Sequence, residues 1–289
     1  MPLISYTLEG KQDKVKIAVE RIKSLDPIAN GFMDEPYYVA YSGGKDSDVL
    51  RILFELSGVR YDLVHNHTTV DAPETVYYVR SIPNIQISYP DITMWELIVK
   101  RRIPPMRIAR YCCAVLKERG GRDRFVATGV RGAESTKRKN NRGSLEVIRR
   151  KNSIILNADN DEARRIFEVC TVQGKRILNP IIDWTDADVW ELLYAYSCRS
   201  NPLYECGYKR VGCIGCPMAG GKKQIEEFEV YPKYKAAYMR AFEKMLAGRH
   251  EDGLPTEQWQ TAGDVFKWWT EKPIKENDLD RLQMNLWDL

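Results

Sequence analysis

Short apolar runs alternate with amphipathic segments through the first two-thirds of the chain. A short apolar run predicts a strand, and apolar positions repeating every three to four residues predict a helix. The predicted elements, in chain order, are a helix over 15–22, a strand over 37–42, a helix over 46–57, a strand over 61–67, a helix over 73–80, a strand over 85–89, a helix over 93–102 and a strand over 124–130. Such alternation predicts an α/β protein with a doubly wound, mostly parallel sheet.

The pattern changes after the fourth predicted strand. A basic stretch within 136–175 is predicted to be a mobile loop. A helix is predicted over 186–193 with Thr185 as its N-cap, and a long helix over 222–247 that is broken or bent near Pro232. The predicted parts of the chain are therefore an N-terminal helical segment (1–35), a sheet domain (36–220) and a helical C-terminal extension (221–289).

Composition is that of a soluble globular protein, because 44% of the 289 residues are hydrophobic and 29% are charged. No apolar run approaches the length of a membrane span, and the first residues lack the apolar core of a signal peptide. We therefore expect a cytoplasmic protein with no membrane partner. The formal net charge of +4 is too small to indicate a nucleic-acid partner by itself.

A glycine-containing loop between the first predicted strand and the next helix predicts a phosphate site. The loop is Ser42-Gly43-Gly44-Lys45-Asp46-Ser47. Adjacent glycines allow positive φ and bring amide groups close to an anion, and the following helix directs its N-terminal amides at the same point. The serine hydroxyls and the Lys45 ammonium add donors. Asp46 is the predicted N-cap of the helix.

Four of the seven cysteines form two pairs that suggest a metal centre. Cys112 and Cys113 are adjacent, and Cys213 and Cys216 form a Cys-x-x-Cys. Four thiolates can bind an iron–sulfur cluster or zinc, and a lone Cys-x-x-Cys can be a redox couple. Adjacent cysteines are unusual in a zinc ribbon, so the spacing favours iron–sulfur slightly. The unpaired cysteines, which we expect to be inert thiols, are Cys170, Cys198 and Cys206.

Taken together, these segments resemble the phosphoadenosine/adenosine phosphosulfate reductase family, which belongs to the PP-loop ATP pyrophosphatase superfamily. The resemblance covers about residues 36–220 and is closest to the branch that carries a [4Fe-4S] cluster. The matching residues, in family order, are Ser42 to Ser47, Asp71 to Thr75, Cys112-Cys113 with Lys117, Gly129 to Arg131 with Glu134-Ser135, Asn179 to Trp184, Asp188 to Trp190, Asn201 to Tyr204, and Gly212 to Pro217.

The resemblance implies a fold of the adenine nucleotide alpha-hydrolase type and a bound adenine nucleotide, either ATP or adenosine phosphosulfate. It implies that the four paired cysteines ligate the cluster and that Lys117 lies between the cluster and an anionic group of the substrate. Gly129 and Arg131 follow the fourth predicted strand, where Arg131 would face phosphate or sulfate; a surface salt bridge is the alternative. Asp71 follows the second strand and is a candidate for ribose, adenine or Mg²⁺ binding, or for a helix N-cap.

One feature departs from the reductases, which use a cysteine in a C-terminal Glu-Cys-Gly-type motif: no cysteine follows Cys216 in this sequence. The DndC-like proteins of DNA phosphorothioation, which combine a PP-loop with four cysteines and use ATP, match better in this respect. The resemblance therefore implies adenylyl or sulfur transfer with a sulfur donor. The basic stretch 137–151 would then contact nucleic acid, or else be a solvated loop.

Two alternatives stay open. The first is a sulfonucleotide reductase that forms sulfite with an external or unusual thiol reductant. The second is a non-catalytic module that binds a nucleotide or senses redox state. Both keep the same phosphate loop and the same cysteines, so the bound ligand and its turnover distinguish them.

Overall fold

The computed structural model describes residues 3–7, 10–135, 139–140, 142–148, 153–156 and 175–271. Their helices and strands, in chain order, are β1 (Ile4–Thr7), β2 (Gly10–Asp13), α1 (Lys14–Ser24), β3 (Tyr37–Ala40), α2 (Lys45–Ser57), β4 (Tyr61–Asn66), α3 (Pro73–Arg80), β5 (Gln86–Ser88), α4 (Met94–Arg101), β6 (Phe125–Ala127), β7 (Leu145–Ile148), β8 (Ser153–Leu156), β9 (Lys175–Leu178), α5 (Asp186–Ala195), α6 (Gly221–Val230), α7 (Pro232–Glu251) and α8 (Ala262–Glu271).

The chain forms two compact units, each built from segments that are distant in sequence. The first unit combines residues 1–65, 74–88 and 120–211, and the second combines 66–73, 89–119 and 212–289. The predicted boundaries at 35 and 220 instead divide the chain into consecutive parts. Each unit is described separately below.

The first unit contains a seven-stranded sheet with the order β5-β4-β3-β6-β9-β7-β8. Strand β3 pairs in parallel with β4 and β6, and β6 pairs in parallel with β9. The mostly parallel α/β sheet predicted from the sequence is therefore confirmed. From β3 the chain continues to β4 on one side and later returns to β6 on the other, which creates a switch point where ligands of such folds bind.

Alternation of side chains along the strands explains how the sheet is stabilised. Tyr37 and Val39 of β3 are buried in the large core formed with α1, α2 and α5, whereas Tyr38 points to the opposite face and packs with Val64 and Val126. Side chains buried on both faces are typical of a central parallel strand. The sheet therefore holds the loop after β3 on a rigid base.

The region predicted to be a mobile loop contains strands, which is a correction. Strand β7 pairs antiparallel with both β8 and β9 and so extends the sheet at one edge. Glu146 and Val147 are buried there. The apolar stretches that form β7 and β8 are short and have basic residues around them, so their pattern did not predict strands. Other parts of 136–175, including Cys170, lie outside the described residues.

The second unit is helical. The long helix predicted over 222–247 is broken at the expected place, because α6 ends at Val230 and α7 starts at Pro232, whose ring prevents a continuous helix. Aromatic rings from α6, α7 and α8 pack together, with Tyr238 and Trp269 at 5.0 Å between centroids. Trp259 and Trp269 are buried in this unit.

None of the helices in the described part of the chain combines the length and the hydropathy that a bilayer crossing needs.

Candidate functional site

The predicted phosphate loop connects β3 to α2. Gly43 has a φ of +74°, which glycine adopts without strain, and a Cβ at this position would lie 2.9 Å from Cγ2 of Val79. Gly44 is extended, with a φ of −104°, and is the N-cap of α2. The prediction that Asp46 is the N-cap is therefore wrong, and Asp46 lies in the first turn of the helix. The glycine takes this role because its carbonyl accepts the first helical hydrogen bonds.

The serines fix the shape of the loop. The Ser47 hydroxyl accepts a hydrogen bond from the Gly44 amide (3.1 Å) and donates to the Gly44 carbonyl (2.7 Å). The Ser42 hydroxyl donates to the Ser47 hydroxyl at 3.3 Å. Ser42 is exposed, whereas Ser47 is buried. Ser47 therefore has a structural role at the helix start, and Ser42 offers a donor at the surface of the loop.

Two further residues of the first unit hold the loop from outside it. The hydroxyl of Tyr204 accepts a hydrogen bond from the Lys45 amide at 2.9 Å. The fully buried side chain of Asn201 donates to the Gly43 carbonyl (2.9 Å) and to the Thr75 hydroxyl (3.1 Å). The segment Asn201 to Tyr204, which the sequence matched to a family motif without a role, thus supports the phosphate loop.

A compact cluster of four charges lies at the start of α2. Lys45 and Arg131 are 6% and 3% exposed. The Arg131 guanidinium donates to Asp46 (Nε–Oδ1, 2.7 Å) and to Asp186 (Nη2–Oδ1, 2.9 Å). The Lys45 ammonium lies 3.2 Å from Asp186 Oδ1 and 3.5 Å from Asp46 Oδ2. The structure thus brings Lys45, Asp46 and Arg131 together, and adds Asp186, which sequence reasoning missed.

Close backbone packing positions Arg131. A Cβ at Gly129 would lie 2.9 Å from the carbonyl oxygen of Asp46, so only glycine lets this segment approach α2 so closely. The Gly132 amide then donates to the Ile182 carbonyl at 2.7 Å. These contacts explain why Gly129 matters to the cluster through packing, beside its predicted role in binding a nucleotide.

A buried carboxylate supports the same helix. Asp48 is fully buried in the first unit, and its Oδ1 accepts hydrogen bonds from the hydroxyls of Tyr41 (2.5 Å) and Tyr78 (2.9 Å). Burial raises the pKa of Asp48 to about 6, although these hydrogen bonds favour the charged form. The sequence offers no signal for this arrangement, because the two tyrosines come from different elements.

In the second unit, one cavity brings together all four paired cysteines and Lys117. Cys113 and Lys117 are the ends of a single π-helical turn that directly follows Cys112. Cys213 forms an isolated antiparallel bridge with Asp71. The remaining lining residues include Met94, Pro105, Leu116 and Tyr238. Four thiols therefore meet in a largely apolar cavity beside one lysine.

Glycine is required inside the Cys213-x-x-Cys216 turn. Gly215 has a φ of +72°, and a Cβ there would lie 2.4 Å from Cζ of Phe228. Its amide donates to Glu227 (2.8 Å), and its carbonyl accepts from Gln224 (2.9 Å), both on α6. The turn is thus held against α6, and the positions of both its cysteines are fixed by packing.

The thiols influence one another's ionisation. Cys112 donates a hydrogen bond to Cys113, which lowers the pKa of Cys113 to about 6 and raises the pKa of Cys112. Burial raises the pKa of Cys213 to about 11. The negative charge of ionised Cys213 raises the pKa of Lys117. Because each thiolate disfavours the next, a bound cation would be needed to ionise all four.

The spacing of the sulfur atoms discriminates between metal centres. Among the described residues, no three of these cysteine Sγ atoms lie within 4.8 Å of one another. A tetrahedral zinc ion with Zn–S distances of about 2.3 Å would hold its sulfurs roughly 3.8 Å apart. The described cysteines carry no disulfide. The four thiols as placed here therefore do not form a tetrahedral zinc site.

The other predicted residues are placed as follows. Asp71 lies in the second unit, where its carboxylate accepts a hydrogen bond from the Thr68 amide (2.7 Å) and lies 3.2 Å from Nδ1 of His67. Of the basic stretch 137–151, Lys139 is exposed and Arg142 pairs with Glu146 at 2.6 Å. The members that lie outside the described residues are Lys137, Arg138, Arg149, Arg150 and Lys151.

Comparison with known proteins identifies the family. Residues 36–219, more than half of the chain, match the phosphoadenosine phosphosulfate reductase domain. The chain belongs to this family. The match spans both the phosphate loop and the four cysteines, so the two sites described above lie within the family's own domain.

Relatives within the phosphoadenosine phosphosulfate reductase family are distant. An uncharacterized protein of Methanocaldococcus jannaschii is 26% identical, over 85% of this chain and 54% of the relative. The adenosine 5'-phosphosulfate reductase of Burkholderia cepacia is 41% identical over 61 residues, which are 21% of each chain. The chain spans about half the length of the first curated relatives it matches.

Two solved structures align with most of this chain. The phosphoadenylyl-sulfate reductase of Candida auris, in a phosphate complex, aligns with a TM-score of 0.42 and 17% identity, over 73% of this chain and 97% of the other. The FMN adenylyltransferase of Candida glabrata aligns with a TM-score of 0.42 and 14% identity, over 70% of this chain and 61% of the other.

Proposed function

We propose that the protein is an iron–sulfur PP-loop enzyme that binds ATP or a related adenylate at the Ser42 to Ser47 loop and catalyses adenylyl or sulfur transfer, in the manner of the DndC-like proteins. Membership of the phosphoadenosine phosphosulfate reductase family supports the nucleotide and the sulfur chemistry. The particular reaction is supported by the two sites.

The observation that carries the proposal is the charge cluster at the loop. Two buried cations, Lys45 and Arg131, lie beside the glycine turn and the N-terminus of α2, which together suit the oxygens of a polyphosphate. The Asp46 carboxylate lies in the same cluster, 24% exposed. A carboxylate among phosphate-binding groups suits Mg²⁺, which accompanies ATP.

The chain's own residues can assist cleavage of the nucleotide. In adenylyl transfer, an acceptor atom bonds to the α-phosphorus while the bond from that phosphorus to the bridging oxygen breaks. Pyrophosphate then leaves with the bonding electron pair. Lys45 and Arg131 would neutralise the charge that develops on the leaving pyrophosphate, and such stabilisation is a large part of phosphoryl-transfer catalysis. Their burial fixes both cations before the nucleotide arrives.

The cysteine cavity would hold a [4Fe-4S] cluster through Cys112, Cys113, Cys213 and Cys216. Support comes from four thiols in one cavity, which as placed do not form a tetrahedral zinc site. When bound, such a cluster supplies electron transfer or a site for sulfur. Lys117 would offset part of the negative charge of the thiolates.

A sulfonucleotide reductase is the second candidate. Similarity to the Burkholderia cepacia enzyme over 61 residues favours it, as does the position of Cys198 in a cavity of about 830 Å³ that Tyr204 and Asp186 also line. Burial raises the pKa of Cys198, although Arg51 donates a hydrogen bond to its sulfur at 3.4 Å. A raised pKa disfavours the thiolate that sulfonucleotide reduction needs.

The deciding experiment is incubation of anaerobically purified protein with ATP or with adenosine phosphosulfate, each with sulfide and a thiol reductant. Pyrophosphate release from ATP, without sulfite from the sulfonucleotide, is the expected result. Sulfite release would establish the reductase instead. Binding of either nucleotide without turnover would point to a non-catalytic module.

A further inference from the structure

One oxygen atom of the protein lies between the two buried cations of the loop site. Oδ1 of Asp186 is 3.2 Å from the Lys45 ammonium and 2.9 Å from Nη2 of Arg131. An oxygen that accepts from a lysine and an arginine together has the surroundings that a phosphate oxygen would have at the same point. The carboxylate therefore occupies a position suited to an anionic ligand.

The two carboxylates of the cluster differ in how firmly they are held. Asp46 belongs to α2 itself, and its side chain is 24% exposed. The Asp186 side chain starts α5 and is 65% exposed, although both of its cationic partners are buried. Asp186 is thus the most exposed member of the cluster, and it is the one an incoming anion can replace most easily.

Release of Asp186 has a low energetic cost. Ion pairs with an exposed partner are weak, because water solvates the freed carboxylate. The first turn of α5 also favours a negative charge, since the helix dipole is positive there and Thr185 already caps the helix. Partial burial raises the pKa of Asp186, but contacts with Lys45 and Arg131 outweigh it and lower the pKa overall. The side chain therefore remains an anion wherever it points.

We propose that Asp186 competes with the nucleotide for the position between Lys45 and Arg131 and is exchanged for a phosphate oxygen when the nucleotide binds. It acts as a specificity-determining residue, because a ligand must bring enough negative charge to replace a carboxylate. This inference rests on the proposed function, in which the loop binds a polyphosphate. If Asp186 competes with the nucleotide, removing its charge strengthens nucleotide binding. If Asp186 binds a metal or has a purely structural role, the same change weakens binding or leaves it unchanged.

The test is calorimetric titration of the full chain with pyrophosphate and with ATP, each with and without Mg²⁺. The variants are Asp186→Asn, Asp186→Ala and the control Glu191→Gln, which removes an equal charge from an exposed site on the same helix. Both Asp186 variants are expected to bind pyrophosphate and ATP about two- to five-fold more tightly, the range that an exposed ion pair supports. Glu191→Gln should bind like the wild type. Melting temperatures of all four proteins verify that they fold.

Unchanged or weaker binding by both folded Asp186 variants would overturn the inference. Weaker binding confined to the titrations with Mg²⁺ would also overturn it and would assign Asp186 to the metal. If the wild type binds pyrophosphate but not ATP, the proposed function fails while the pyrophosphate titrations still decide the role of Asp186. If the wild type binds neither, both proposals fail.

Discussion

The phosphate loop of the first unit and the cysteine cavity of the second differ in how their charges are balanced. At the loop, two cations are matched by two carboxylates. Asn201 donates a hydrogen bond to the loop, and the Tyr204 hydroxyl accepts one from it. In the cavity, like groups are gathered, so that ionisation of one thiol opposes ionisation of the next. The first site is built by the protein alone, whereas the second needs a cation to stabilise its ionised form.

The largest effect is expected at the cysteine cavity, where we predict that Cys213→Ser abolishes the cluster. Serine cannot replace a thiolate ligand, and the half-buried Cys213 is fixed by the bridge to Asp71. Iron and sulfide content after anaerobic purification should fall to background. Cys206→Ser, at an exposed cysteine of the first unit, is the control and should keep both. Zinc without iron or sulfide in the wild type would show that the centre has been misassigned.

The next largest effect is expected at the loop. Arg131→Ala should weaken ATP binding about 10- to 100-fold, because charge-assisted hydrogen bonds to the phosphates are lost and Lys45 alone is left to balance two carboxylates. Lys16→Ala, at an exposed lysine of α1, should leave the affinity unchanged. Iron content should stay at the wild-type level in both variants. A loss of iron in Arg131→Ala would mean that the two sites are not independent, as the comparison assumes.

A smaller effect is expected on stability, where two glycine substitutions separate the cost of backbone conformation from the cost of packing. Gly43 and Gly58 have similar φ values, +74° and +68°, but only Gly43 lacks space for a Cβ. Gly58→Ala should therefore cost about 1 kcal/mol of unfolding free energy from its φ alone. Gly43→Ala should cost about 1 kcal/mol more, because Val79 and Thr75 must move. Urea denaturation measures both, and equal costs would refute the claim that tight packing shapes the loop.

The smallest effect concerns the buried Asp48. Its pKa of about 6 is above the usual value of 3.8, so the charged form destabilises the folded protein above pH 6. This cost declines as the pH falls through 6 toward 3.8. Asp48→Asn should therefore gain about 1 kcal/mol more stability, relative to wild type, at pH 8 than at pH 5. Urea denaturation at both pH values measures this difference. A gain in stability that is the same at both would contradict the burial of a charged carboxylate.

Local patterns in the sequence predicted much of the fold. Apolar periodicity placed β3, α2 and β4 to within a few residues, because these elements lie in the core and their pattern reflects burial. The same method failed for β7 and β8, whose short apolar stretches are surrounded by basic residues. Pro232, in contrast, correctly marked the interruption of the long C-terminal helix, because its ring prevents a continuous helix.

The sites show the same limit. Gly43, Lys45 and the paired cysteines stand out because their chemistry is visible in short motifs. Asp186 does not, since its contact with Lys45 and Arg131 depends on how α5 packs beside the loop rather than on any local pattern. Asp48 is similar, because only the tertiary structure shows that Tyr41 and Tyr78 surround it. Residues that act through long-range contacts can be identified only once the structure is known.

The central claim is that the Ser42 to Ser47 loop binds an adenine nucleotide through its phosphates. Calorimetric titration of ATP into anaerobically purified wild type and Lys45→Ala tests it most directly. We expect that the wild type binds ATP and that Lys45→Ala, with an unchanged melting temperature and iron content, binds it at least about 10-fold more weakly. Equal affinity in the two proteins would contradict the account, because the nucleotide would then bind elsewhere.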